Sequence, residues 1–148
     1  MSIDENKELE LKEAREKIFR LENELKKFEQ LEMETKHHFG GGVYARELII
    51  PEDTVLTGKM HTHEHLNIMV RGDITVYTET GEKRISEPCV IVSRPGTKRA
   101  GYTHKETVWI TLHATPETDL DVIEKIFIAS DPQEFIDKLR NEDKLCLG

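Results

Sequence analysis

The chain has 148 residues, of which 34% are charged and 36% hydrophobic, and its formal net charge is −8. This length fits one domain with appendages, and so charged a composition indicates that part of the chain is an exposed helix rather than core. The acidic excess lies at the two ends while the centre is neutral, so no basic surface for nucleic acid is expected.

The cysteines and the hydropathy pattern bear on the compartment. Cys89 and Cys146 lack the spacing of a disulfide framework, which predicts reduced thiols. The sequence shows neither a signal-peptide pattern nor an apolar run of membrane length. We therefore expect a soluble, cytoplasmic protein with no membrane partner.

Residues 1–36 are predicted to form a coiled-coil helix. Residues 5–35 contain neither Gly nor Pro and are rich in Glu, Lys and Leu, which are strong helix formers. The apolar residues follow the alternating steps of three and four that make a coiled-coil seam, at Leu11, Ala14, Ile18, Leu21, Leu25 and Phe28. This pattern predicts a parallel homodimer or homotrimer joined through the helix. The alternative is an amphipathic helix docked on its own domain.

Residues 37–42 are predicted to be a Gly-rich linker. Gly40, Gly41 and Gly42 follow one another, and such a run ends a helix and makes a flexible hinge. His37 and His38 are interpreted as linker residues rather than ligands.

Residues 43–115 are predicted to form a β domain. Short runs rich in β-branched and aromatic residues alternate with turn residues, without a helical pattern between them. About seven or eight such strands are typical of a sandwich or a barrel. Ligands from different strands can meet inside a barrel, because one face of each strand lines its interior.

The densest group of candidate ligands lies within this domain. His61, His63 and His65 recur at a period of two, so on an extended strand they share one face. Converging imidazoles fit a divalent transition metal; the alternative is a polar, solvated edge. His113 shares a face with Trp109 on the last strand, and it becomes a further ligand only if that face is the interior.

These residues resemble a known family. Residues 49–54, the pair His61 and His63, Gly72 and the Pro95–Gly96 turn are similar to a small cupin, a double-stranded β-helix or jelly-roll domain, over residues 43–114. The resemblance implies a jelly-roll barrel that holds a metal through two histidines one residue apart, a glutamate, and a histidine after the Pro-Gly loop. Some cupin-like domains have lost the metal and only bind ligands or assemble.

The sequence departs from the cupin pattern at two ligand positions. Counted from the histidine pair the glutamate position falls at Asn67, and counted from the following glycine it falls at His65. Arg99 stands where the last histidine is expected, and His104 is the nearest replacement. The resemblance then implies a divalent metal, Zn, Fe, Ni or Mn, held by His61, His63, His65 and His104.

Three cations flank the Pro95–Gly96 turn: Arg94, Lys98 and Arg99. In a cupin this loop would rim the cavity, so the three side chains are predicted to bind the carboxylate or phosphate of a small anionic ligand. The alternative is a solvated turn.

Residues 116–148 are predicted to form a short C-terminal helical segment. Asp131, Pro132 and Glu134 have the order of a helix start, while residues 119–127 form a helix or a helix that runs into a strand. The whole is therefore predicted to be mainly β, a cupin-like jelly-roll barrel with an N-terminal coiled coil. Two functions follow: binding of a metal or a small anion in the barrel, with catalysis left open, or non-catalytic assembly through the coiled coil without metal.

Overall fold

A computed structural model describes residues 2–147, with side chains described for residues 2–142. Cys89 is a half-buried free thiol, and the side chain of Cys146 lies outside the described part. The elements in chain order are α1 (Ile3–Leu25), β1 (Glu34–Gly40), β2 (Val43–Ile50), β3 (Val55–Thr57), β4 (His65–Thr78), β5 (Gly81–Ile85), β6 (Cys89–Ser93), β7 (Arg99–Ala114), α2 (Leu120–Phe127) and α3 (Pro132–Leu147).

The strands form one antiparallel, seven-stranded sheet built around the two long strands β4 and β7. β4 carries β6 along its first half and β5 along its second half. β7 carries β3 along its first half and β2 along its second, and β1 lies beyond β2. This pairing confirms the mainly β class. Among the described strands, however, the hydrogen-bonded pairs do not close into a barrel.

The pairing of the two long strands is irregular around Gly72 of β4. The register of β4 against β7 shifts repeatedly between Met69 and Ile74. Gly72 has a φ of +127°, and a Cβ there would lie 2.4 Å from the Thr107 hydroxyl oxygen, so only glycine allows this approach. Residues from both sides of this irregular stretch share one hydrophobic cluster, made of Ile50, Met69, Ile74, Val76, Ile85 and Trp109.

The helix at the N-terminus is shorter than predicted. It begins with a capping box, in which the Glu5 amide donates to the Ser2 hydroxyl over 3.1 Å and the Ser2 amide donates to the Glu5 carboxylate over 3.2 Å. It ends at Leu25 rather than near residue 36. The predicted seam residue Phe28 lies beyond the helix and is 70% exposed.

The predicted linker at residues 37–42 is wrong. Residues 34–40 form strand β1, which pairs with β2 in a hairpin, so cross-strand hydrogen bonds override the helix-forming composition. Gly41 and Gly42 have φ of +59° and +78°, as the two central residues of a tight hairpin turn require. His37 likewise serves the hairpin, because its Nδ1 lies 2.8 Å from the Tyr44 hydroxyl oxygen.

Within the single chain, α1 docks on its own domain. Ile18, in the middle of the predicted seam, is only 6% exposed, and the helix borders a groove with Tyr77 and Ala100 of the sheet. Glu22 on the same helix accepts a hydrogen bond of 2.9 Å from the Thr57 hydroxyl in β3. A coiled coil through Ile18 would require this face to leave the sheet, so the described contacts are those of the docked-helix alternative.

The C-terminal segment agrees with its sequence signals. The Asp131 carboxylate accepts a 3.0 Å hydrogen bond from the Glu134 amide at the start of α3, as predicted. Helix α2 ends at Phe127, and Ile128 then forms an isolated β-bridge with His61. No described helix is both long and apolar enough to cross a membrane.

Candidate functional site

Three histidine rings meet at one end of the sheet; we call His61, His65 and His113 the histidine cluster. The ring centroid of His61 lies 4.3 Å from that of His65 and 5.0 Å from that of His113, and the centroids of His65 and His113 are 5.0 Å apart. His65 and His113 are neighbours because β4 pairs with β7 in the register Leu66 opposite Leu112. His61 precedes β4, where its carbonyl accepts a 2.9 Å hydrogen bond from the Gly96 amide.

The hydrogen bonds of the cluster leave imidazole nitrogens without partners. The Nδ1 atoms of His61 and His65 lie 3.1 Å and 3.0 Å from the carbonyls of Lys59 and His63. Since a carbonyl can only accept, these Nδ1 atoms carry the proton and each Nε2 presents a lone pair. His65 Nε2 and His113 Nδ1 are buried and, among the described residues, have no hydrogen-bond partner.

The cluster is uncharged at neutral pH. Burial, together with the neighbouring His65 and His113, lowers the pKa of His61 to about 3. Burial together with His65 lowers the pKa of His113 to about 4, and burial also lowers that of His65. Neutral imidazole is the form that binds metals.

The donor chemistry of the cluster fits a divalent transition metal, although the rings are not arranged as a formed centre. Among the described residues, no three His, Cys, Asp or Glu side chains already stand in a metal-binding group. The rings of the cluster instead lie stacked or tilted against one another, at angles of 26° to 43°. A metal held by all three would require the imidazoles to rotate toward a common point.

Two of the four predicted ligands lie outside the cluster. The prediction placed His63 on a strand, but β4 begins only at His65, so the period of two does not apply before it. His63 is exposed, with its ring edge-on to Phe127 at 5.1 Å. His104 lies in the first half of β7, on the other side of the irregular pairing from His113, and its Nε2 is 2.7 Å from the Thr75 hydroxyl oxygen.

A polar network lies beside the cluster and is centred on Asn67, which is 1% exposed. Its amide nitrogen donates to the Ser93 hydroxyl oxygen over 2.8 Å. Its amide oxygen accepts from Trp109 Nε1 over 3.1 Å and from the Thr111 hydroxyl over 3.0 Å. Asn67, which stands at one candidate position for the cupin glutamate, therefore organises the inner face. The same contacts show that the face of β7 with Trp109 is the interior. His113 lies on this face, as a role as ligand requires.

The three cations around Pro95 have different surroundings. Arg94 is exposed. Lys98 is 2% exposed and pairs with Glu22 of α1, so it does not rim a cavity. Arg99 reaches the polar network, where its Nη2 donates to the Ser93 hydroxyl oxygen over 2.6 Å and its Cζ lies 5.5 Å from the Trp109 ring centroid. Burial lowers the pKa of Arg99.

Sequence reasoning missed the cover of the cluster. The Phe127 ring of α2 stacks on His113 at 4.3 Å and 18°, and Phe127 packs with Tyr44 and Ile123. Thr62 fixes this contact, because its amide and its hydroxyl both donate over 2.8 Å to carbonyls at the end of α2. The sequence carries no signal for such docking, since the two segments are distant along the chain.

Comparison with known proteins identifies the fold. No family model matches the chain, and no curated protein matches it. The ectoine synthase structure from P. lautus is 12% identical with a TM-score of 0.52, covering 66% of this chain and 75% of that one. The KdgF structure from Halomonas sp. is 18% identical with a TM-score of 0.50, covering 62% and 88%.

A cupin superfamily protein from Desulfitobacterium hafniense is also similar, at 6% identity and a TM-score of 0.49, with 60% of this chain and 82% of that one covered. Likeness at such low identities concerns the fold alone. The architecture agrees with the resemblance seen in the sequence, and the chain has a cupin-like fold.

Proposed function

We propose that this cupin-like protein binds a divalent transition metal, Zn, Fe, Ni or Mn, through His61, His65 and His113. The observation that carries the proposal is a pair of buried nitrogens in one cluster, His65 Nε2 and His113 Nδ1, that have no hydrogen-bond partner within the described part of the chain. A buried polar atom without a partner costs about 1–3 kcal/mol, and coordination of a metal would offset that cost.

The surroundings of the cluster also suit metal ligands. The backbone carbonyls of Lys59 and His63 hold the Nδ1 protons of His61 and His65, as carbonyls commonly do behind metal-binding histidines. Phe127 shields one side of His113 from water. When bound, the metal would supply Lewis-acid or redox chemistry, and the chain would supply the orientation of the ligands and a dry inner face.

The test compares two matched pairs of histidine substitutions in protein purified without a histidine tag. Each metal is added to metal-stripped protein, and bound metal is measured by elemental analysis. We expect His65→Gln with His113→Gln to lose the metal, and His63→Gln with His104→Gln to keep it. At a hundredfold excess over Kd, bound metal should stabilise the wild-type protein by about 2.7 kcal/mol.

Circular dichroism confirms that each variant is folded before metal is added. Stoichiometric metal in the His65/His113 variant would refute the assignment, and so would its loss in the His63/His104 variant. Absence of binding with all four metals would refute the proposed function itself.

A further inference from the structure

The guanidinium of Arg99 lies at the inner face of the sheet, beside Ser93 and Trp109. Its Nε is buried and, among the described residues, has no hydrogen-bond partner. None of the ion pairs within 4.0 Å that involve described residues includes Arg99. Glu79 is the carboxylate that attracts it, but from beyond that distance. Arg99 is half-buried, and a charge drawn out of water without a counter-ion is unfavourable, so this side chain is suited to receive an anion.

Ser93 places a second donor beside Arg99. The Ser93 oxygen accepts hydrogen bonds from both Arg99 Nη2 and Asn67 Nδ2. These two bonds occupy both lone pairs of the hydroxyl, so its proton points elsewhere and is free to donate. Ser93 is only 3% exposed, and a buried hydroxyl proton is stabilised by a hydrogen-bond acceptor.

This pair of donors lies next to the histidine cluster. In the pairing of β4 with β6, Ser93 stands directly opposite His65. Ser93 thus contacts Arg99 through its side chain and pairs with the strand of His65 through its backbone. A ligand held by Arg99 would therefore lie beside His65.

We propose that Arg99 and Ser93 bind the carboxylate of a small organic acid next to the histidine cluster. The inference deepens the proposed function and rests on it, since it names the ligand class of the same site. A guanidinium fork matches the two oxygens of a carboxylate. In the metal-free protein, the single positive charge of Arg99 balances the single negative charge of a carboxylate, which favours a carboxylate over a dianionic phosphate. The Trp109 ring, 5.5 Å from Arg99 Cζ, offers an apolar surface to the rest of the molecule.

The test measures binding to metal-free protein, so that it does not depend on the metal. Metal is removed with 1,10-phenanthroline, a chelator without carboxylates. Acetate, lactate and succinate are then titrated by calorimetry, with acetamide as the uncharged match for acetate and inorganic phosphate as the other oxyanion. We expect the carboxylates to bind, and Arg99→Met to weaken them by roughly tenfold to a hundredfold.

Three variants make the result specific. Arg99→Met removes a half-buried charge that lacks a counter-ion among the described residues, so it is expected to fold at least as stably as the wild type. Arg20→Met makes the same charge change at an exposed position of α1 and should bind as the wild type does. Ser93→Ala should weaken binding less than Arg99→Met does.

The outcomes separate this inference from the proposed function. Carboxylate binding lost in Arg99→Met, with stoichiometric metal binding retained, supports the inference. Tighter binding of phosphate than of any carboxylate would overturn it, as would equal binding by Arg99→Met and the wild type, or no carboxylate binding at millimolar concentration. Wild-type protein that binds carboxylates but no metal would count against the proposed metal site alone.

Discussion

The ammonium group of Lys98 contacts the carboxylate of Glu22 and so joins the start of β7 to the N-terminal helix. The same ammonium donates to the Gly58 carbonyl over 2.7 Å and lies 5.0 Å from the centroid of the Phe19 ring. Lys98 is almost fully buried, whereas Glu22 keeps 20% of its side chain exposed. The pair therefore links α1 to the sheet, and the buried ammonium of Lys98 is stabilised by the carboxylate of Glu22.

We predict that Glu22→Gln lowers the free energy of unfolding by about 2 kcal/mol, because it leaves the Lys98 ammonium buried without a counter-ion. Adding Lys98→Met to it should recover part of the loss, since the double variant removes both charges. Glu24→Gln is the matched control: Glu24 pairs with Lys27 while both are more than half exposed, so its cost should stay below about 1 kcal/mol. Urea unfolding measures all three, and equal losses for Glu22→Gln and Glu24→Gln would contradict the prediction.

The same pair predicts a pH dependence. Burial by itself raises the pKa of Glu22, but the hydrogen bonds from Lys98 and Thr57 and the charges of Lys98 and Lys26 outweigh it, so the folded-state pKa lies below the ordinary 4.5. A folded-state pKa that is lowered stabilises the protein above the unfolded-state value, and the stabilisation disappears as pH falls through the folded-state value. The stability difference between wild type and Glu22→Gln should thus be constant near neutrality and shrink below about pH 4.5. A stability difference between wild type and Glu22→Gln that stays constant down to acidic pH would contradict this prediction.

Ile18→Asp tests whether α1 docks on its own domain. Because Ile18 is 6% exposed within the single chain, a charge there should lower the free energy of unfolding by about 3 kcal/mol. For a docked helix, the wild-type melting temperature should not depend on protein concentration, and sedimentation should give the same size for the variant. A concentration-dependent melting temperature, with a smaller species in Ile18→Asp, would instead support the coiled coil predicted from the seam.

Substituting two glycines that have the same φ distinguishes the cost of backbone strain from the cost of steric overlap. Gly72 and Gly81 both have φ of +127°, but a Cβ meets the Thr107 hydroxyl oxygen at 2.4 Å in the first case and nothing within 4 Å in the second. We expect Gly81→Ala to cost about 1 kcal/mol and Gly72→Ala about 3 kcal/mol or more. Thermal or urea unfolding of the two variants checks this. Similar losses at both positions would show that the approach of β4 to β7 is not tight.

The sequence sufficed for the fold class because its signals there are local. Alternating apolar residues and turn residues indicated the β domain, and the order Asp131, Pro132, Glu134 located the start of α3, where the Asp131 carboxylate caps the Glu134 amide. The helix boundary was wrong because residues 26–36 have a helical composition, whereas the structure uses residues 34–40 to extend the sheet beside β2. Helix propensity is small per residue, and pairing along an exposed strand edge exceeds it.

The site was only half accessible to sequence reasoning. Spacing selected His61 and His65, but it also selected His63, because the period of two was extended into a stretch that is not a strand. His113 depends on which face of β7 is the interior, and that is decided by contacts such as the hydrogen bond from Trp109 to Asn67. Phe127 depends on the docking of α2, which no local pattern encodes.

The position of Trp109 has a practical consequence. The chain contains one tryptophan, and its indole donates to Asn67 while its ring faces the Arg99 guanidinium. Any change in the charge beside Arg99 alters the electric field across that ring, and hence the wavelength and intensity of its emission. The protein thus carries its own fluorescent reporter at the inner face, so occupancy can be followed by light without a label.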